Sequence, residues 1–131
     1  MKKIGILNKD ISEVVAGLGH TDTVAIGDAG LPIPDGPRRI DLAVRQGIPS
    51  FFDVLETVLS EIKVQKITIA SEMKDVSADV HKRIIEMFRD IEVEMIPHSE
   101  LKKRLGSTKA VIRTGEFTPY ANIILESGVI F

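Results

Sequence analysis

The sequence contains no cysteine and no tryptophan, and it has a single tyrosine among its 131 residues. The absence of cysteine excludes disulfide bonds, thiolate nucleophiles and cysteine-ligated zinc or iron–sulfur centres. No apolar run approaches the roughly 18 residues that a transmembrane helix needs, and the start Met1-Lys2-Lys3-Ile4 is followed by too short an apolar stretch for a signal peptide. We therefore expect a soluble, cytoplasmic protein with no membrane partner.

An excess of charge of one sign is also missing. The chain has 17 Lys and Arg against 19 Asp and Glu, and its formal net charge is −2. The densest basic stretches, Arg38-Arg39 and Lys102-Lys103-Arg104, are short, so nucleic acid is not an expected partner. Walker, GxGxxG and GxSxG motifs are absent, so the sequence gives no indication of a nucleotide cofactor or of an esterase-type nucleophile.

The spacing of apolar residues predicts one α/β domain that spans residues 1–131. Helices are expected after Asn8 and Ser50 as N-caps, and over 77–89 and 99–105. Strands are expected over 23–26, 39–45, 64–70, 91–96, 110–113 and 121–130. This alternation predicts a three-layer α/β/α architecture with a largely parallel sheet, and the two successive strands at the end indicate that part of the sheet is antiparallel.

His20 and Asp28 are the first candidates for a functional site. They lie beside Gly19 and Gly27, on either side of a short apolar run. Histidine exchanges protons near neutral pH, and the carboxyl end of a strand, where Asp28 lies, is where open α/β sheets bind ligands. Structural roles compete with this interpretation, because His20 could cap a helix end and Asp28 could hydrogen-bond within its own turn.

His98 and the segment Tyr120-Ala121-Asn122 are the remaining candidates. His98 follows the strand over 91–96, which places it at the same edge of the sheet as Asp28. Asn122 offers a donor and an acceptor, and Tyr120 offers a hydroxyl on an apolar ring, a combination that suits a sugar. A metal site made of His20, Asp28 and His98 matches the two-histidine, one-carboxylate donor set, but the spacing of these residues is not diagnostic.

Taken together, the motifs resemble those of a known sugar-mutarotase family, which comprises D-ribose pyranases and L-fucose mutarotases. The resemblance rests on Gly19-His20, Asp28-Ala29-Gly30 and Pro32, Arg113-Thr114-Gly115-Glu116, and Pro119-Tyr120-Ala121-Asn122, and it extends over the whole chain. Each motif is short, but their order and joint spacing are specific, and the chain length agrees with the ribose branch.

The resemblance implies a cofactor-free isomerase, without a metal, that interconverts the pyranose and furanose forms of β-D-ribose. It implies His20 as the proton donor, and Asp28, His98, Tyr120, Ala121 and Asn122 as sugar-binding residues. It also implies a ring-shaped homo-oligomer, a homodecamer in the ribose branch. Whether Asp28 only orients the sugar or also transfers a proton stays open.

Three other functions remain compatible with the residues. A fucose-type mutarotase would act on a different sugar, and a non-catalytic accessory of ribose transport would bind ribose without accelerating its isomerisation. The third alternative is a metal-dependent aldose–ketose isomerase, which would produce a ketose.

The spacing of His20 and Asp28 carries a geometric expectation of its own. If residues 21–27 are extended, the two side chains lie on the order of 20 Å apart, at about 3.3 Å per residue. A single pentose cannot bridge that distance. We therefore expect either a sharp bend between them or a site assembled between subunits, and the apolar residues at Gly128-Val129-Ile130-Phe131 favour an interface.

Overall fold

The computed structural model describes residues 1–131. Its strands are β1 (Thr23–Gly27), β2 (Arg38–Asp41), β3 (Val64–Ala70), β4 (Glu92–Ile96), β5 (Ala110–Arg113) and β6 (Ile123–Ser127). They form one sheet in the order β2-β5-β1-β6-β3-β4. Five strands run in the same direction, and β6 alone is antiparallel to both of its neighbours, β1 and β3. The prediction of a largely parallel, partly mixed sheet is confirmed.

The helices are α1 (Lys9–Gly17), α2 (Phe51–Leu59), α3 (Met73–Val76), α4 (Ala78–Met87) and α5 (His98–Arg104), and a 3₁₀ turn over Leu105–Ser107 follows α5. Both predicted N-caps are present. The Asn8 side chain accepts a hydrogen bond from the Ile11 N–H at 2.9 Å, and Ser50 forms a reciprocal capping box with Asp53. No helix is both long and apolar enough to span a membrane.

Alternate residues of each strand pack on opposite faces of the sheet, as the two-residue period of a strand requires. On β1, Val24 and Ile26 belong to the larger core, which contains residues of α1, α2 and α4, whereas Ala25 belongs to a smaller core with Leu101 and Leu105 on the other face. Helices therefore cover both faces, and the three-layer prediction is confirmed.

Two strands are shorter than the sequence predicts by more than one residue. β2 ends at Asp41 rather than at residue 45, because its single neighbour β5 offers only four residues for pairing. β6 begins at Ile123 rather than at residue 121, because a turn closed by the Ala121 N–H and the Thr118 carbonyl comes first. It ends at Ser127 rather than at residue 130, because Ser127 pairs with Val64, the first residue of β3. The short helix α3 was not predicted.

Candidate functional site

The carboxyl ends of the parallel strands and the amino end of β6 meet at one edge of the sheet. Asp28 follows β1, Glu72 follows β3, His98 follows β4, and Asn122 immediately precedes β6. Because β1, β6, β3 and β4 are consecutive in the sheet, these polar residues form a row along that edge. The position agrees with the general rule for ligand sites in α/β sheets.

Asp28 and Asn122 form a two-point pair at the centre of the row. The Asn122 Oδ1 accepts a hydrogen bond from the Asp28 N–H at 2.9 Å, and the Asn122 Nδ2 donates to the Asp28 Oδ2 at 3.0 Å. The second carboxylate oxygen, Oδ1, accepts from the Gly30 N–H at 2.9 Å. Burial raises the pKa of Asp28, although these hydrogen bonds and the charge of the nearby His98 oppose the shift. Each carboxylate oxygen keeps a lone pair with which it can accept a further hydrogen bond.

The His98 imidazole lies against the Tyr120 ring. The two ring centroids are 5.1 Å apart and the planes are nearly perpendicular, at 82°. Burial, followed by the charge of Lys102, lowers the pKa of His98, so the ring is neutral at pH 7. Its Nδ1 is buried and has no hydrogen-bond partner in the chain. The other ring nitrogen, Nε2, also makes no hydrogen bond within the chain and is not buried, so it is the one that a ligand hydroxyl can reach.

The backbone at Tyr120 is in the left-handed region, with a φ of 60°. Pro119 precedes it, and the turn resembles type II, in which glycine or asparagine is usual at this position. A non-glycine residue there costs on the order of 1–3 kcal/mol. The turn brings the Tyr120 ring against His98 and places the buried Ala121 before Asn122.

Glu72 holds His98 from the neighbouring strand, and sequence analysis missed it. Both of its carboxylate oxygens accept from the His98 N–H, at 3.0 and 3.1 Å. Burial alone would raise the pKa of Glu72, but hydrogen bonds from its own N–H, from His98 and from Ser71 outweigh burial and lower it. The carboxyl-edge rule applied to β3 could have identified Glu72, since it lies two residues after that strand ends.

A cleft of about 380 Å³ opens beside Asp28, on the side of β5. Its lining includes Arg113, Glu116 and the exposed Phe117. The Glu116 carboxylate accepts from the Phe51 N–H at 3.1 Å, and from Thr118 at 2.9 and 3.3 Å. Glu116 therefore ties the loop before Tyr120 to the start of α2. Burial would raise the pKa of Glu116, but these hydrogen bonds lower it.

His20 lies at the opposite edge of the sheet, before β1 rather than after it. The five residues of β1 alone span about 16 Å. The His20 ring is exposed, and its Nε2 is 3.0 Å from the Gln65 Oε1, while the Gln65 Nε2 donates to the Glu126 Oε1 at 2.6 Å. Neither Gln65 nor Glu126 was singled out from the sequence, because the pairing of β3 with β6 was not predicted.

Within one chain, the predicted site residues thus form two groups. Asp28, His98, Tyr120 and Asn122 lie together, and His20 lies apart from them. The same separation means that His20, Asp28 and His98 cannot ligate one metal ion in a single chain. No group of three His, Asp or Glu side chains is arranged to hold a metal ion.

Proteins that carry the name D-ribose pyranase are similar to this chain over their full length. The protein from Limosilactobacillus reuteri strain DSM 20016 is 57% identical, and the protein from Limosilactobacillus fermentum is 53% identical. In both comparisons the aligned 131 residues cover 100% of each protein.

Solved structures agree with the sequence comparisons. The structure of Bacillus subtilis RbsD complexed with D-ribose superposes with a TM-score of 0.97 at 46% identity, and 100% of both chains is covered. The fucose mutarotase of Streptococcus pneumoniae in complex with L-fucose gives a TM-score of 0.74 at 20% identity over 95% of each chain, which shows a shared fold. The model of the RbsD / FucU transport protein family matches residues 1–130, and the chain belongs to that family.

Proposed function

We propose that this chain is an enzyme that interconverts the pyranose and furanose forms of β-D-ribose without a cofactor. The full-length identity of more than half to proteins named D-ribose pyranase supports ribose as the substrate. The observation that carries the proposal at the site is the neutral His98 ring, which has no side-chain hydrogen bond within the chain, beside the Asp28–Asn122 pair. A ligand rich in hydroxyl groups can pair with the accessible His98 Nε2 and with the free carboxylate lone pairs together.

Asp28, His98 and Asn122 bind the sugar hydroxyls in this proposal, and Tyr120 covers an apolar C–H face of the ring. The Asp28 carboxylate accepts hydrogen bonds from hydroxyls, and the Nε2 of the neutral His98 ring pairs with one more. Ala121 contributes its backbone and keeps Tyr120 and Asn122 in register. The half-buried position of Asp28 strengthens these contacts relative to the same contacts in water.

The reaction needs only proton transfers. As the bond between the anomeric carbon and the ring oxygen breaks, the oxygen keeps the electron pair and takes a proton from an acid. The anomeric hydroxyl gives its proton to a base and becomes the aldehyde. The aldehyde then closes with the hydroxyl on the fourth carbon, and the two protons return. We assign the acid to His20, a role worth about 10²–10⁴-fold in rate, and Asp28 is the nearest base to the bound sugar.

His20 reaches the sugar from a second copy of the chain in this proposal. It lines a groove with the exposed Ile130 and Phe131, and the exposed Phe117 borders the Asp28 cleft at the other edge. Apolar side chains beside both half-sites favour contact between copies. We therefore propose a homo-oligomer, with a decamer as the expected size, and a cytoplasmic location, which the cysteine-free composition favours.

Magnetisation-exchange NMR on equilibrated D-ribose tests the activity directly. We expect faster pyranose–furanose exchange with the wild-type protein and a loss of about 10²–10⁴-fold with His20→Ala. His81→Ala is the control, because it removes the one histidine to which the proposal gives no role, and it should leave the rate unchanged. Acceleration that survives His20→Ala would move the acid to another residue.

Mixing two inactive variants tests the shared site. In oligomers reassembled from equal amounts of His20→Ala and Asp28→Asn, about a quarter of the sites combine both native halves, because each site draws one half from each of two copies. Activity that returns after mixing supports a site between subunits. No return, with both variants still assembled, would reject a site that draws His20 and Asp28 from two copies.

A non-catalytic sugar-binding role is the second candidate. The family's description as transport proteins and the separation of His20 from the polar cluster within the chain favour it. Ribose binding by calorimetry without accelerated exchange would establish this role and reject the enzyme.

A further inference from the structure

Three side chains form a hydrogen-bonded chain at the edge of the sheet opposite the Asp28 cluster. His20 precedes β1, Gln65 lies on β3, and Glu126 lies on β6. The His20 Nε2 and the Gln65 Oε1 are 3.0 Å apart, and the Gln65 Nε2 and the Glu126 Oε1 are 2.6 Å apart. The His20 Nδ1 makes no hydrogen bond within the chain. We call these hydrogen-bonded residues, His20, Gln65 and Glu126, the relay. Which group donates in each of its two bonds follows from the groups at its ends, a carboxylate and an imidazole.

Glu126 sets the orientation of the Gln65 amide. An ionised carboxylate only accepts hydrogen bonds, so the amide must present its NH₂ group to Glu126. A bond from an amide to a carboxylate is charge-assisted and stronger than a neutral one, which holds the amide against a flip. The Gln65 carbonyl oxygen therefore faces His20, and that oxygen can only accept.

The same logic continues to the imidazole. A ring nitrogen opposite an acceptor must carry a hydrogen, so the His20 Nε2 is protonated in both the neutral and the cationic ring. The ring can then gain or lose a proton only at Nδ1. In water, by contrast, neutral histidine exchanges between its two tautomers.

We propose that Gln65 and Glu126 are positioning residues that hold His20 as the Nε2–H tautomer and make Nδ1 its proton-transfer atom. The tautomer itself follows from the relay; its use in catalysis rests on the proposed function. On ring opening, the Nδ1–H of the imidazolium gives its proton to the sugar ring oxygen, and the ring nitrogen keeps the electron pair. On reclosure, Nδ1 takes a proton from the attacking hydroxyl, while Nε2–H stays bonded to Gln65 throughout.

Charged side chains of both signs lie beside the relay. Lys66, the neighbour of Gln65 on β3, has a raised pKa, chiefly through its hydrogen bond to Glu94 and in part through the charges of Glu92 and Glu126. Glu126 therefore lies on a surface of mixed charge, directly opposite Lys66 of β3.

Long-range ¹H–¹⁵N NMR of the full-length protein tests the tautomer without reference to activity, because the ¹⁵N shifts of the two ring nitrogens differ between tautomers. We expect neutral His20 in the wild-type protein to be mainly Nε2–H. In Glu126→Gln the Gln65 amide is free to flip, so the fraction of neutral His20 that is the Nδ1–H tautomer should rise. The rate of pyranose–furanose exchange should then fall roughly tenfold, with KM unchanged. Glu92→Gln makes the same chemical change on the exposed side of Lys66 and should alter neither readout.

A double exchange separates this role from a merely structural one. Gln65→Glu combined with Glu126→Gln places a carboxylate, which accepts only, opposite His20 Nε2, and an amide behind it. We expect the double variant to restore the Nε2–H tautomer and to recover most of the lost rate. A purely structural role predicts more damage from two changes than from one.

Two results would overturn the proposal. The first is a wild-type His20 that is mainly Nδ1–H or an even mixture. The second is a Glu126→Gln protein whose tautomer and exchange rate both match the wild type. Failure of the proposed function looks different: His20→Ala would then keep its exchange rate, while the tautomer spectra would still follow the relay.

Discussion

Asn122 and Asp28 form a hydrogen-bonded pair. Replacing Asn122 by aspartate turns its amide into a carboxylate and leaves the shape of the side chain nearly unchanged. The NH₂ group that donates to the Asp28 Oδ2 at 3.0 Å becomes an oxygen. Asn122 is only 1% exposed, so water cannot separate the two carboxylates. With both ionised, the repulsion is about 5 kcal/mol at an effective dielectric constant of about 20.

The Asn122→Asp variant avoids part of that repulsion by binding a proton on one of the two carboxylates. Holding a carboxyl group of ordinary pKa near 3.9 protonated at pH 7 costs about 4 kcal/mol. Since this is the smaller of the two costs, Asn122→Asp should destabilise the fold by about 4 kcal/mol at pH 7. The folded pair has a raised pKa relative to the unfolded chain, so the lost stability should return as the pH falls, by about 1.4 kcal/mol per unit, leaving a cost of about 1.5 kcal/mol at pH 5.

Urea unfolding at pH 7 and pH 5, at one protein concentration, measures both values, because assembly makes the apparent stability depend on concentration. Asn8→Asp is the matched control, since it makes the same chemical change at the N-cap of α1, where aspartate is equally good, and should shift stability by no more than about 0.5 kcal/mol. A cost for Asn122→Asp that is the same at both pH values would refute the reasoning, because it would show that no proton is taken up by the pair.

Two further expectations concern the same edge of the sheet. A Cβ at Gly27 would lie 2.8 Å from the Asn122 Oδ1. Gly27→Ala should therefore lower the free energy of unfolding by about 1–3 kcal/mol, and calorimetry should show weaker ribose binding. Gly17→Ala is the control, because no atom lies within 4 Å of its new Cβ, and it should not lower stability. Ribose affinity should fall with a midpoint below pH 6.5, because burial lowers the pKa of His98 from its ordinary value and the ring binds the sugar in its neutral form. A fall centred above pH 6.5 would contradict a neutral, buried His98.

Much of the fold followed from local patterns in the sequence. Residues 64–70 and 110–113 were predicted as strands with the same ends as β3 and β5, and both side-chain N-caps were identified. These features depend on residues close in sequence. The lengths of β2 and β6 depend on which strands are their neighbours in the sheet, and periodicity carries no information about that.

The candidate site, too, has features that the sequence predicts and features that depend on the tertiary fold. The position of Asp28 and His98 at one edge of the sheet was predictable, because residues that follow parallel strands meet there, while their role in sugar binding stays a prediction. The roles of Glu72 and Gln65 depend on partners 26 and 61 residues away, His98 and Glu126 respectively. The spacing argument for His20 did predict its separation from Asp28, since both lie at the ends of one strand.

The central position of β6 has a consequence for the order in which the protein can fold. Without β6, the remaining strands form two separate pieces, β2-β5-β1 and β3-β4, with no hydrogen bonds between them. The strand that joins the two is the last of the six along the chain, so the sheet cannot close until residues 123–127 have been synthesised. Until then β1 and β3 each expose an unpaired edge, which is where a nascent chain is most prone to pair with the wrong strand.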